Sequence, residues 1–242
     1  MEVAELANKL VAWIGEQVSR AGCRGTVVGL SGGIDSAVVA VLCQRAFPDD
    51  NLAAIIPCHS SQQDIDDALL VARRFHIVSV TVSLDEASDC LLRAIPPVGP
   101  DPARERLAQA NVKPRLRMTA LYYLANRFNY LVVGTGNFCE RTIGYFTKYG
   151  DGGVDIMPLG NLVKRQVREL AQHLGIPAEI IDKAPSAGLW SGQTDEADMG
   201  LTYEELDTYL LTGQGSEDLK RKVKKMKAAS AHKRALPPVA PV

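Results

Sequence analysis

The stretch Gly25-Thr26-Val27-Val28-Gly29-Leu30-Ser31-Gly32-Gly33-Ile34-Asp35-Ser36-Ala37-Val38-Val39-Ala40-Val41-Leu42 decides the fold. Residues 25–30 are a short β-rich run that ends in a glycine–serine turn, and 35–47 carry apolar residues at helical spacing. The alternation then repeats. Residues 51–57 are continuously apolar, as a strand buried on both faces should be. The spacing predicts a helix over 64–75 with Asp64 as its N-cap, a strand over 76–83 and a helix from 85 to about 94. Residues 96–102 hold four of the 13 prolines and read as a loop. Residues 104–128 read as helix interrupted near Lys113-Pro114, 130–135 as the next strand, and 154–157 as a short later one. Strands alternating with helices of this length predict one α/β domain over 1–242. Its core would be a doubly wound parallel sheet with helices on both faces and right-handed crossovers. No internal repeat is visible. Such sheets bind ligands beyond the carboxyl ends of their strands.

The bulk properties are consistent with that. A chain of 242 residues with 46% apolar content can bury a full core. Its formal net charge of −1 argues against a protein built to coat nucleic acid. Glu2 and Glu5 stand where a signal peptide would carry Lys or Arg, and no apolar run is long enough to span a bilayer. Five scattered cysteines without a C-x-x-C pair form neither a disulfide framework nor a zinc site. The expectation is a cytoplasmic protein without membrane or nucleic-acid partners.

The strongest local signal is Gly29-Leu30-Ser31-Gly32-Gly33-Ile34-Asp35-Ser36, between the first strand and its helix. Glycines let backbone N–H groups approach an anion closely, and the helix N-terminus adds partial positive charge. Ser31 and Ser36 add hydroxyl donors. A bare Asp35 carboxylate would repel phosphate, and makes sense with Mg²⁺ between them. No Gly-Lys-Ser/Thr follows, and the Rossmann fingerprint does not fit. The plainer alternative is an ordinary strand-to-helix turn, but the whole S-G-G-x-D-S at this junction favours phosphate.

The loop resembles the pyrophosphate-binding loop of the N-type ATP pyrophosphatases, with their adenine nucleotide alpha hydrolase-like fold. That superfamily includes GMP synthetase, argininosuccinate synthetase, asparagine synthetase, tRNA-thiolating enzymes and NAD synthetase. From Val132 the chain reads V-V-G-T-G-N-F-C-E-R-T-I-G-Y-F-T-K-Y-G-D-G-G-V-D-I-M-P-L, which looks like NAD synthetase and no other member. The match continues through Lys164-Arg165-Gln166-Val167-Arg168, Lys183-Ala184-Pro185-Ser186-Ala187-Gly188-Leu189-Trp190 and Gly192-Gln193-Thr194-Asp195-Glu196 to His232-Lys233-Arg234.

The resemblance implies ATP contacts from residues 29–36, Thr135, Lys164 and Ser186, the last where many members carry threonine. It implies Asp35 and Glu140 as magnesium ligands, and Arg115, Lys148, Asp155, His232 and Lys233 as deamido-NAD contacts. Composition alone would read Thr135 as a β-branched strand residue, Glu140 as a first-turn acid, Lys148 as a solvated loop lysine and Asp155 as a turn aspartate. Arg115 and Arg117 are two apart on a helix and face different sides. Residues 147–153 and 186–196 read as glycine-rich lids, with Trp190 packing on ligand or anchoring its loop. A basic helix over about 216–234 carries eight Lys or Arg residues from 220 onward. No aromatics interleave them, so most read as a solvated face.

The implied reaction is amidation of deamido-NAD by ammonia, driven by ATP through an acyl adenylate, with Asp151 near the ammonia. A separate amidase domain, present in glutamine-dependent members, has no room here, and a homodimer is expected. The rivals are a tRNA-thiolating enzyme or another amide-forming ligase, and a non-enzymatic nucleotide-binding module. The first would need a reactive cysteine pair or an RNA-binding extension. Joint retention of Asp35, Glu140, Lys164 and the lid speaks against the second.

Overall fold

A computed structural model describes residues 2–96, 101–190 and 192–241. An amphipathic helix, α1 (Val3–Arg20), precedes β1 (Gly25–Gly29) and α2 (Ile34–Ala46). There follow β2 (Asn51–Ile55), α3 (Gln62–Arg74), β3 (Ser79–Thr81), α4 (Asp85–Ala94), α5 (Pro102–Ala110), α6 (Val112–Phe128) and β4 (Tyr130–Val133). The C-terminal part is helical: α7 (Phe138–Ile143), α8 (Lys164–Leu174), α9 (Ala178–Ile181), α10 (Asp195–Met199), α11 (Tyr203–Thr212), α12 (Glu217–Ala229) and a 3₁₀ turn (Ala231–Lys233).

The four strands are all parallel, in the order β3-β2-β1-β4. β1 is central, with Val27 beside Leu52 on one side and Val132 on the other. β-Branched Thr26, Val27 and Val28 suit such a strand, and the buried Thr26 hydroxyl is satisfied by Asn51 Oδ1 at 2.9 Å. Helices cover both faces. On one, α2 packs between the sheet and α1 and α8; a helix apolar on every side, Ala37 to Cys43, has to be buried this way. On the other, Ala125 and its α6 neighbours cover Val27, Leu52, Ala54 and Val132. A second core joins α7, α10, α11 and α12 through Cys139, Ile143, Met199, Leu206 and Val223.

Several local expectations need correction. The N-cap of α3 is Ser61, whose Oγ accepts from Asp64 N at 3.1 Å, so Asp64 lies inside the first turn. The strand over 76–83 shrinks to Ser79–Thr81, since His76 turns left-handed at φ 53. Residues 154–157 give one parallel bridge, Val133 to Ile156, rather than a strand. The basic helix stops at Ala229: Ser230 Oγ turns back to Met226 O and Ile143 O, and residues 231–233 continue as 3₁₀. The helical interruption falls at Asn111, one residue before α6, leaving Pro114 in the first turn where its missing N–H costs nothing. Part of the proline-rich loop, 97–100, lies outside the described residues.

Candidate active site

Beyond the carboxyl ends of β1, β2 and β4 lies a cavity of about 650 Å³. Its floor is the loop between β1 and α2. Ser31 and Ser36 brace that loop: Ser36 Oγ donates to Gly33 O at 2.8 Å and accepts from Ser31 N at 3.1 Å. Gly33 caps α2 without any side-chain hydrogen bond, so the first N–H groups of the helix face the cavity free for an anion. Seven of the eight loop residues line the cavity. Gly32 is turned away at φ +80, and a Cβ there would stand 2.4 Å from Asp64 O. Glycine is obligatory at that point.

Asp35 enters from the first turn of α2 and is held by two groups: Asn137 Nδ2 donates to Oδ1 at 3.0 Å, and Lys164 Nζ pairs with Oδ2. Asn137 is fully buried and forms a capping box with Glu140, which sets the Glu140 side chain beside the same cluster. Tyr203 Oη lies 3.2 Å from Glu140 Oε1 and 2.9 Å from Asp195 Oδ2. Burial, then the charge of Asp35, pushes the Glu140 carboxyl up to about 8. Burial pulls Lys164 down, but Asp35 and Glu140 more than offset it and leave the ammonium above its usual value. The carboxylates are crowded and call for positive charge. Among the described residues no three acidic, His or Cys groups converge tightly enough to cage a metal. Two hard carboxylates beside a loop of free N–H groups suit Mg²⁺, which commonly takes one or two protein carboxylates and completes its shell with other oxygens.

Thr135, Lys164, Ser186, Asp151 and Lys233 also line the cavity. Asp151 opens onto it while accepting from Thr147 N at 2.8 Å, and the protein packed around it raises its carboxyl above the usual range. Within the loop 147–153, Thr147 O accepts from both Gly150 and Gly152, and the Asp151–Thr147 bond closes it further. Leu189 and Trp190 are docked against α6 and α5. Lys113 Nζ donates to Leu189 O at 2.9 Å, and the Arg106 guanidinium lies 4.8 Å over the Trp190 ring.

The family model for NAD synthase matches residues 6–237. The chain belongs to the NAD synthase family. It is 52% identical to the NH(3)-dependent NAD(+) synthetase of Carboxydothermus hydrogenoformans, over 97% of this chain and 96% of that protein. Among solved structures it is similar to an NMN synthetase from Francisella tularensis, with a TM-score of 0.92, 40% identity and 99% of both chains covered. The NH3-dependent NAD synthetase of Campylobacter jejuni gives a TM-score of 0.81 at 28% identity, with both chains covered in full.

Not all the positions expected from the NAD synthase resemblance lie in the cavity. Arg115, half-buried Lys148 and His232 form a chain outside it: Arg115 Nε donates to Lys148 O at 3.3 Å, and Lys148 Nζ to His232 O at 2.6 Å. Asp155 accepts from Val132 N and Tyr122 Oη, each at 2.8 Å, and so ties the bridge segment to β4. Three cavity residues, and one buried behind them, were not singled out from sequence. Lys183 Nζ is 2.7 Å from Asp64 Oδ1 and 2.5 Å from Asp67 Oδ2, clamping the base of the 186–196 segment to α3. Arg117 and Asp195 line the cavity, and the Tyr203 hydroxyl links Asp195 to Glu140. Lys183 and Asp195 lie in stretches that match NAD synthetases; Arg117 and Tyr203 give no local signal beyond their residue type.

Proposed function

We propose that the chain catalyses the ATP-dependent amidation of deamido-NAD by ammonia, giving NAD, AMP and pyrophosphate through an acyl adenylate. One observation carries the reading: Asp35, Glu140 and Lys164 meet beside the phosphate loop, in a cavity that Asp151 and Lys233 also line. The N–H groups at the start of α2, the Ser31 hydroxyl and Lys164 hold the β- and γ-phosphates, and Ser36 braces the loop from behind. The carboxylate oxygen attacks the α-phosphorus, forming a C–O–P anhydride as the bond to pyrophosphate breaks. Asp35 and Glu140 would hold Mg²⁺, which would supply charge neutralisation for the phosphates bound beside them. Ammonia then adds to the acyl carbon and AMP leaves. Asp151, its carboxyl raised by its surroundings, accepts the proton that nitrogen sheds in this reading. Lys233 serves the second nucleotide within the cavity. Arg115, Lys148 and His232 serve its outer part across the mouth, and Asp155 holds the wall behind them.

By the same reading the enzyme works in the cytoplasm as a homodimer. No helix among the described residues is long and apolar enough to cross a membrane. The purified chain should form NAD and AMP from ATP, deamido-NAD and ammonium, and nothing when ATP is omitted. A second reading keeps the chemistry and shortens the acceptor to nicotinate mononucleotide, favoured by the high similarity to the Francisella NMN synthetase. Comparing kcat/KM for the two acceptors decides between them.

A further inference from the structure

We propose that Arg117 is a substrate-binding residue whose guanidinium takes an oxyanion where the two nucleotides meet: the α-phosphate of ATP or the carboxylate of the acceptor. The inference rests on the ligase reading above and adds a residue to it. Among the described residues, four cationic side chains line the cavity: Arg117, Lys164, Lys183 and Lys233. Two are already neutralised, Lys164 by Asp35 and Lys183 by Asp64 and Asp67. Lys233 donates to the carbonyls of Gly144 and Phe146. Arg117 likewise has only neutral partners: Nε donates to Ile56 O at 3.0 Å and Nη2 to Ser60 Oγ at 3.2 Å. A guanidinium has five N–H donors, so three remain without a partner among the described residues. A cation in a partly enclosed site is expected to find an anion, and here no protein carboxylate closes on it.

Its position limits what that anion is. Pro114, Met118 and Leu121 line the cavity with Arg117, placing this face of α6 over the site, whereas Arg115 points to solvent. Ile56 and Ser60 follow β2, next to the strand that carries the phosphate loop. Asp151 lines the same cavity as Arg117 and Lys233, and its charge acts on both cations. The loop and the start of α2 take the terminal phosphates. The anion lying between them and Asp151 is then the α-phosphate or the carboxylate that becomes bonded to it. Both match the flat fork of a guanidinium, which an ammonium cannot reproduce.

The test is a pair of variants. Arg117→Met keeps the apolar stem, and Arg117→Lys keeps the charge without the fork. Each is measured for melting temperature, for kcat and KM with each nucleotide varied, and for equilibrium binding of ATP and of deamido-NAD singly. Arg117→Met should melt close to the parent and lose at least about tenfold in kcat/KM, with partial recovery in Arg117→Lys. Weakened binding of ATP alone assigns the α-phosphate, and weakened binding of the acceptor alone assigns the carboxylate. Unchanged kcat/KM and binding for both would overturn the proposal. So would equal losses in Met and Lys variants that also melt early, since packing alone would explain them. A parent chain that forms no amide would fail the ligase reading, and the two binding measurements would still decide Arg117.

Discussion

Replacing Gly32 with alanine tests the phosphate loop at its most constrained point. The residue sits at φ +80, where a side chain costs about 1–2 kcal/mol. The new Cβ would lie 2.4 Å from Asp64 O and 3.0 Å from Asp67 Cβ. The first distance is about 1 Å short of ordinary contact. Either the loop or the first turn of α3 has to move, and α3 carries both carboxylates that hold Lys183. Strain and displacement together should destabilise by roughly 2–4 kcal/mol, or about 5–15 °C in melting temperature for a chain of this size. A loop displaced by a large fraction of an ångström should lose about a hundredfold in kcat/KM for ATP. Gly33→Ala is the control: Gly33 has φ −94, and its Cβ would meet Ser31 Oγ at 3.5 Å, so stability should fall by about 1 kcal/mol at most. Calorimetry of the two variants, with initial rates against ATP, gives the comparison. A Gly32→Ala protein as stable and active as the parent, or a Gly33→Ala protein equally destabilised, would refute this reasoning.

Asp35→Asn should cost at least about a hundredfold in turnover while circular dichroism stays native, because Glu140 and Asp195 still face Lys164; near-parental rates would remove Asp35 from the metal site. At fixed total ammonium, the rate should climb with pH below about 9, since only free NH₃ carries a lone pair, and glutamine alone should give no product. Burial raises the Asp64 carboxyl, but Lys183 and Ser61 more than offset it and hold it below its usual value. Its contribution to stability is therefore present above about pH 4 and lost as pH falls through its folded value. Acid melts of Asp64→Asn should accordingly lack part of the parent's drop below about pH 4, and identical acid limbs would contradict the pairing.

What the sequence revealed and what it hid divide along physical lines. β1, the glycine turn and α2 were legible because strand, turn and helix each have a local cause: β-branched residues, paired glycines, an apolar run. The parallel architecture followed from alternation, but the order β3-β2-β1-β4 is a matter of long-range pairing with no local signature. Ser61 took the cap from Asp64 because both are good caps, and the choice rests on backbone geometry three residues apart. The 147–153 loop reads as loose from its glycines. Those glycines are instead demanded by crowding, since a Cβ at Gly152 would meet Phe146 at 2.6 Å. Motifs pick out Asp35, Glu140 and Lys164 as candidates, whereas the positions of Arg117 and Tyr203 depend on contacts made across the fold.

In the proposed reaction the acceptor carboxylate attacks the α-phosphate. Deamido-NAD labelled with ¹⁸O in its nicotinate carboxylate, turned over with unlabelled ATP and ammonia, tests that step directly. When ammonia displaces the adenylate, one carboxylate oxygen has to depart with the phosphorus. Mass spectrometry should find a single ¹⁸O in AMP and none in pyrophosphate. Label in inorganic phosphate with ADP as co-product, or unlabelled AMP beside fully formed NAD, would contradict it.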